Sequence, residues 1–360
     1  MTTRDSIARD SITRDSITRD SITRDSIASI LCRQSEERLS PYACRESASR
    51  GRERPLAPSE LRGEFQRDRD RIIHCKAFRR LMHKTQVFLA PEQEHYRTRL
   101  THTLEVTQIA RTMARALSLN EDLCEAAALG HDLGHTPFGH IGEDALRQCY
   151  SKDFAHYRQS LRVVEKLENE GQGLNLTWEV RDGIVNHQGE HLAATLEGRL
   201  VKFADRIAYI NHDIDDAIRA GLLREDDIPA RLRDVLGDSH SRRIDTMVTS
   251  VVRQSLGKPE IAMEPHLWEA TGELRAFLFE RVYYSPPVLA EEERAKTLLI
   301  RLFDYYVAHP DRMPAFYVSL TEREPVERCV ADFISGMTDR HAIRLYKDLF
   351  IPNTWSGRVE

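Results

Sequence analysis

The chain has 360 residues, 41% of them hydrophobic, and 52 lysines and arginines stand against 57 aspartates and glutamates for a net charge of −5. That length fills one large or two ordinary domains, and the near balance of charge excludes a dedicated nucleic-acid coat protein. No run approaches the roughly 18 uncharged apolar residues of a membrane-spanning helix. The amino terminus is charged where a signal segment would be apolar, so a cytoplasmic protein without membrane contact is expected.

Residues 4–28 repeat the unit RDSIA or RDSIT five times. A period of five matches neither the 3.6 of a helix nor the 2 of a strand, so its isoleucines cannot line one face. A disordered or weakly helical tail over residues 1–38 is expected, with no catalytic role and the folded domain running over 39–360. Between Arg45 and Lys84 twelve basic residues face six acidic ones. Such an excess suits a polyphosphate or another anion, while a solvated helix face laced with salt bridges is the plainer reading. Pro55 and Pro58 mark a loop before a polar, basic helix.

Helical periods dominate from there. Over residues 98–117, Val106, Ile109, Met113 and Leu117 recur at spacings of three and four, and His102 precedes Val106 by four on the same inward face. Over residues 198–219 an apolar face runs through Leu200, Phe203, Ile207, Ile210, Ile214 and Ile218, with Asp205, Tyr209 and Asp213 in a row beside it. Beyond Pro229 the pattern stays helical, with loops expected at 258–265, 285–287 and 309–314. Strand signals are few. The expected fold is all-α, a single domain of many helices.

The chemistry concentrates in HDLGHTPFGHIGE, residues 131–143. An adjacent His131 and Asp132 at the end of an apolar helix can direct an imidazole and a carboxylate at one ion. Gly134, Pro137 and Gly139 then break the helix, which leaves His135 and His140 on a loop, with Glu143 close enough to orient His140. The six cysteines are scattered without a CxxC pair and read as isolated thiols. A closed structural zinc site is the competing reading of the histidines, weakened by the lack of a cysteine ligand.

The ordered set His102, His131-Asp132 and Asp205 resembles the H…HD…D signature of the HD-domain phosphohydrolase superfamily. The stretches RTRLTHTLEV, HDLGHTPFGH, HYRQSLRVVEKLE, LNLTWEVRDGIVNH and LEGRLVKFADRIAYINHDIDDAI resemble its dGTP triphosphohydrolase-like branch, from about Leu39 to the carboxyl terminus. The resemblance implies an HD domain with a carboxyl-terminal helical extension over 39–360. It makes His102, His131, Asp132 and Asp205 ligands of one divalent ion (Mn, Mg or Fe) and implies hydrolysis of deoxynucleoside triphosphates to deoxynucleoside and inorganic tripolyphosphate. His140 is then the proton donor to the 5′-oxygen, held by Glu143, with His135 and His156 at the phosphates. Arg99 would bind the triphosphate, and Gln86, Tyr209 and Asp213 would form the sugar site. It further raises a homo-oligomer, a dNTP activator and a single-stranded nucleic acid as partners. A nucleoside monophosphatase or guanosine polyphosphate hydrolase on the same ligands, and a catalytically quiet dNTP or nucleic-acid-binding regulator, are the rival functions.

Overall fold

Helical spacing in the sequence becomes helix throughout the computed structural model, which describes residues 27–86, 97–284 and 286–352. Among these residues there is no strand, and β-pairing is confined to isolated bridges between Arg52 and Thr177 and between Thr85 and Thr98. The all-α expectation holds. The first helices are α1 (Ile27–Glu36), α2 (Glu64–His74) and α3 (Lys76–Arg80). The last part of the expected tail is thus a helix, anchored by the Ala28 N–H donating to the Glu60 carbonyl at 2.8 Å. The repeats up to residue 26 lie outside the described residues.

The centre of the molecule follows from two amphipathic helices. Helix α4 (Arg99–Ala116) starts at Thr98, whose side chain accepts from the Thr101 N–H in a capping box. Helix α5 (Glu121–Gly130) starts at Asn120, whose side-chain oxygen accepts from the Leu123 N–H at 3.1 Å. Helices α6 (His140–Cys149), α7 (His156–Arg162) and α8 (Trp178–Val185) lead to the long α9 (Leu196–Arg219), which packs along α4. Val106, Ile109 and Met113 of α4 meet Leu200, Ile207 and Ile214 of α9 in one buried cluster. At about 25 cal/mol per Å² of apolar surface removed from water, such a cluster is the main force holding the two helices in register.

Helices α10 (Ala230–Leu236), α11 (His240–Ser255) and α12 (Pro265–Leu278) extend that cluster. A second core joins α6 to α13 (Pro286–Ala308), α15 (Val326–Ser335) and α16 (Asp339–Phe350), with the short α14 (Ala315–Leu320) between them. Loops fall near 258–265 and 309–314 as expected. The loop expected over 285–287 does not extend that far: Pro286 and Pro287 open α13, because a proline in a first helical turn has no N–H bond to lose. Ser285 itself lies outside the described residues. No helix among the described residues is long and apolar enough to cross a membrane.

Part of the basic stretch from Arg45 to Lys84 is answered by its own acids. Arg52 pairs with Glu64 and Asp68, Arg62 with Asp70, Arg67 with Glu64, and Arg69 with Asp70.

Candidate functional site

Three helix ends and faces deliver the polar side chains to one place. His102 sits one turn into α4, on the face packed against α9, as its spacing to Val106 requires. His131 caps the carboxyl end of α5, whose last five residues, from Ala126 to Gly130, are apolar and buried, and Asp132 follows it. Asp205 comes from α9, alongside the stripe that buries against α4. The His102 Nε2 lies 3.2 Å from Asp205 Oδ1 and 3.8 Å from Asp132 Oδ2, and His131 Nε2 lies 3.9 Å and 3.8 Å from the same two atoms.

These atoms are set up as ligands. The Nδ1 of His131 lies 2.6 Å from the Ala128 carbonyl, which fixes a proton there and leaves the Nε2 lone pair free. That buried Nε2 has no hydrogen-bond partner among the described residues, and an ion between two imidazoles and two carboxylates would satisfy it. Burial pushes the His131 pKa down, which keeps the ring neutral, as a ligand must be. Burial opposes charge on Asp132 and Asp205, yet the Arg99 guanidinium holds Asp132 well below the usual carboxylate range, and a hydrogen bond with His102 lowers Asp205 likewise. Arg99 Nη1 donates to Asp132 Oδ2 at 2.8 Å. The four residues therefore fit a divalent ion.

A chain of polar contacts stands behind His102. Its Nδ1 lies 2.8 Å from His212 Nε2, and His212 Nδ1 lies 2.7 Å from Asp213 Oδ1. With His102 Nε2 offered to an ion, Nδ1 must carry the proton and donate to His212 Nε2, which fixes the ring. Asp213 stands beside His212 without a hydrogen bond to it and accepts from the Tyr283 hydroxyl. Tyr209 lies at the edge of the α4–α9 core beside Tyr283, and the buried Gln86 Oε1 has no partner among the described residues.

A second group lies next to the first. His135, His140, Glu143 and His156 have ligand atoms within 4.8 Å of one another, and so do Asp132, His156 and His187, which link the two groups. Gly139 at φ 62° redirects the chain so that His140 opens α6 instead of lying on the loop as the sequence suggested. The His140 side chain is 68% exposed. Glu143 Oε2 lies 2.8 Å from His156 Nδ1 but 3.5 Å from His140 Nδ1, so its nearer imidazole is that of His156. Its other oxygen accepts from Arg147. Burial alone would lower His156; the Glu143 carboxylate outweighs it and raises the ring's pKa, whereas burial drives the stacked His135 well down.

The HD domain family matches residues 99–210, and the phosphohydrolase-associated domain family matches residues 261–348. A deoxyguanosinetriphosphate triphosphohydrolase-like protein of Caldanaerobacter subterraneus subsp. tengcongensis is 58% identical over 317 residues, covering 88% of this chain and 94% of that protein. The chain belongs to the deoxyguanosinetriphosphate triphosphohydrolase-like family. Family proteins of Desulfatibacillum aliphaticivorans and Clostridium tetani are 51% and 46% identical, covering 87% and 88% of this chain and 95% and 94% of their own.

In this family member the site also draws on residues that sequence reasoning did not assign. His187, two residues past α8, lies 3.4 Å from His156 and packs edge-on to His131. Burial lowers its pKa to about 3. His212 props His102. Both stand inside stretches that carried the family resemblance, but neither falls at a spacing that singles it out before α8 and α9 are placed.

Proposed function

We propose that the protein is a metal-dependent phosphohydrolase that cleaves deoxynucleoside triphosphates to deoxynucleoside and inorganic tripolyphosphate. One observation carries the reading: the buried group His102, His131 and Asp132, with Asp205 3.2 Å from His102 and the His131 Nε2 orphaned, adjoins a second group in which a raised imidazole, His156, is held by Glu143. The first group suits an ion and the second suits phosphate charge and proton transfer. The name of the relatives supports the substrate class.

With a Mn, Mg or Fe ion held by His102, His131, Asp132 and Asp205, the site gains the Lewis acidity that phosphoryl hydrolysis needs. Arg99, already directed at this centre through Asp132, binds the triphosphate. The cationic His156 and the N–H of His135 offset charge that develops on the phosphate oxygens. His140, exposed at the edge of the group, donates a proton to the departing 5′-oxygen, and Glu143 holds both His140 and His156. Gln86, Tyr209 and Asp213 bound the sugar, so that a ribose 2′-hydroxyl is disfavoured.

The test is incubation of the full chain with each dNTP and the matching NTP in Mn or Mg, followed by identification of products. Intact tripolyphosphate with free deoxynucleoside is expected. Release of orthophosphate or pyrophosphate would overturn the reaction type, and equal rates on GTP and dGTP would overturn the sugar assignment.

A further inference from the structure

The loop over residues 131–139 reaches α6 through two consecutive left-handed residues, Phe138 at φ 61° and Gly139 at φ 62°. Glycine takes that conformation freely. Phenylalanine does not, and a bulky residue stays there only when its surroundings impose it. The Phe138 ring is buried in the second core, and its N–H donates to Asp339 Oδ1 at 2.9 Å, across 201 residues of sequence.

Asp339, the first residue of α16, does more than hold Phe138. Its Oδ2 accepts from both the N–H and the hydroxyl of Thr85, at 2.9 and 2.6 Å. Lys84, the neighbour of Thr85, sends its Nζ to two backbone carbonyls: that of His135 on the loop and, at 2.8 Å, that of Ser335 at the end of α15. Asp339 and Lys84 are each only 2% exposed, and neither forms an ion pair among the described residues. A buried carboxyl and a buried amine, the latter pushed down to about 7 by its burial, satisfied mainly by backbone groups, are a costly way to fill space that apolar side chains could fill. What they achieve is placement, because one carboxyl group and one amine reach residues 85, 135 and 138 and the carboxyl-terminal helices at once.

We propose that Asp339 and Lys84 form a latch through which the carboxyl-terminal helices fix the 135–139 loop in the shape that presents His135 and His140, and that both are positioning residues for hydrolysis. The inference rests on the reading of that loop as catalytic. It assigns a task to the region matched as phosphohydrolase-associated: residues 99–210 contain the loop, but Asp339 lies within 261–348 and Lys84 before the HD match.

The experiment compares wild type, Asp339→Ala, Asp339→Asn and Lys84→Met as full chains, well below each melting temperature. Four quantities are read: amide hydrogen exchange, bound metal, KM and kcat. In Asp339→Ala, exchange at residues 135–140 should quicken by at least about tenfold while α4 and α9 keep their protection. Its kcat should fall by roughly 10- to 100-fold, the loss expected for a catalytic group displaced by about an ångström, with KM and metal content held within about twofold. Lys84→Met should follow the same pattern. Asp339→Asn keeps one acceptor for Phe138 but turns a donor towards Thr85, so it should fall between wild type and Ala, and it serves if the Ala variant does not fold. A lowered melting temperature with unchanged kcat would mean that the contacts serve only the fold, and unchanged exchange in the loop would equally overturn the latch. Should the wild type hydrolyse no dNTP, the exchange measurement still decides the latch, and the proposed function fails separately.

Discussion

The pair that most needs measuring is His156 and Glu143, because the sequence pointed Glu143 at His140 and the structure brings it closer to His156. The perturbation is a double-mutant cycle: Glu143→Gln, His156→Asn, and both together. Each side chain is no more than 5% exposed, so the contact is not screened as a surface pair would be. A hydrogen bond to a charged group contributes about 1.5–3 kcal/mol, and a coupling of about 2 kcal/mol is expected while both partners are charged. The sign with pH follows from the shifts. Burial opposes both charges, but Glu143 lifts His156 above 6.5, so its stabilisation is fully present below that value and is lost as pH rises through the folded one. The Glu143 carboxyl, lowered by His140 and His156 against burial, stays ionised beneath its ordinary 4.5. His135, His187, Asp132 and Arg99 also face His156, and the cycle cancels their contributions to first order. Urea unfolding followed by circular dichroism should therefore give a larger coupling near pH 6 than near pH 9. Equal couplings at the two pH values would refute the ion pair. In kinetics, Glu143→Gln should cost at least as much kcat as His140→Ala, itself on the order of 10²- to 10⁴-fold, since it unfixes two imidazoles.

Three further outcomes follow from the same geometry. His131→Ala should abolish bound metal, read by elemental analysis, with helical content nearly intact; full occupancy would remove His131 from the ligand set. Gly134→Ala places a Cβ 2.1 Å from the Ser160 nitrogen and 2.3 Å from the Gln159 carbonyl carbon, backbone that cannot step aside. It should lose about 3 kcal/mol or more, and a change in melting temperature of under about 1 °C would show that the loop is softer than this. Chelation should lower the melting temperature, and adding Mn back should restore it progressively with concentration, because binding to the folded state alone stabilises it by mass action.

The helices and the meeting of His102, His131 and Asp132 were legible because both depend on local spacing. His102 at four residues from Val106, and His131 at the end of an apolar run, have their directions set by helical phase alone. Residue pairs that meet across the fold were not legible. Whether Glu143 serves His140 or His156 depends on how α6 packs beside α7, and the sequence offers only the three-residue spacing, which favours His140. Asp213 shares a face with Asp205 and so read as part of the sugar site; its contact with Tyr283 was not legible, because it depends on where α12 and the turn after it lie. The position of His140 turned on one backbone angle, φ 62° at Gly139, which permits a helix to begin immediately after a break that the sequence read as a longer loop.

His131, His187 and His156 lie close together around Asp132 and Glu143, yet their pKa values do not shift in one direction, and the reason is the partner each one faces. His131 and His187 each place Nδ1 against a main-chain carbonyl, of Ala128 at 2.6 Å and of Ile184 at 2.7 Å. A carbonyl orients the ring but carries no full charge, so burial prevails and both rings are pushed towards neutrality. His156 faces a carboxylate instead, and there the same burial is overcome. Neutral rings with free lone pairs collect on the side of Asp132 and Asp205, where an ion would need them. The raised ring stands on the side of His135 and His140, where a phosphate would need positive charge. The division between ligand and cation is thus made by one glutamate, Glu143, set against two helix-end carbonyls, and replacing that glutamate should turn His156 into a ring like His187.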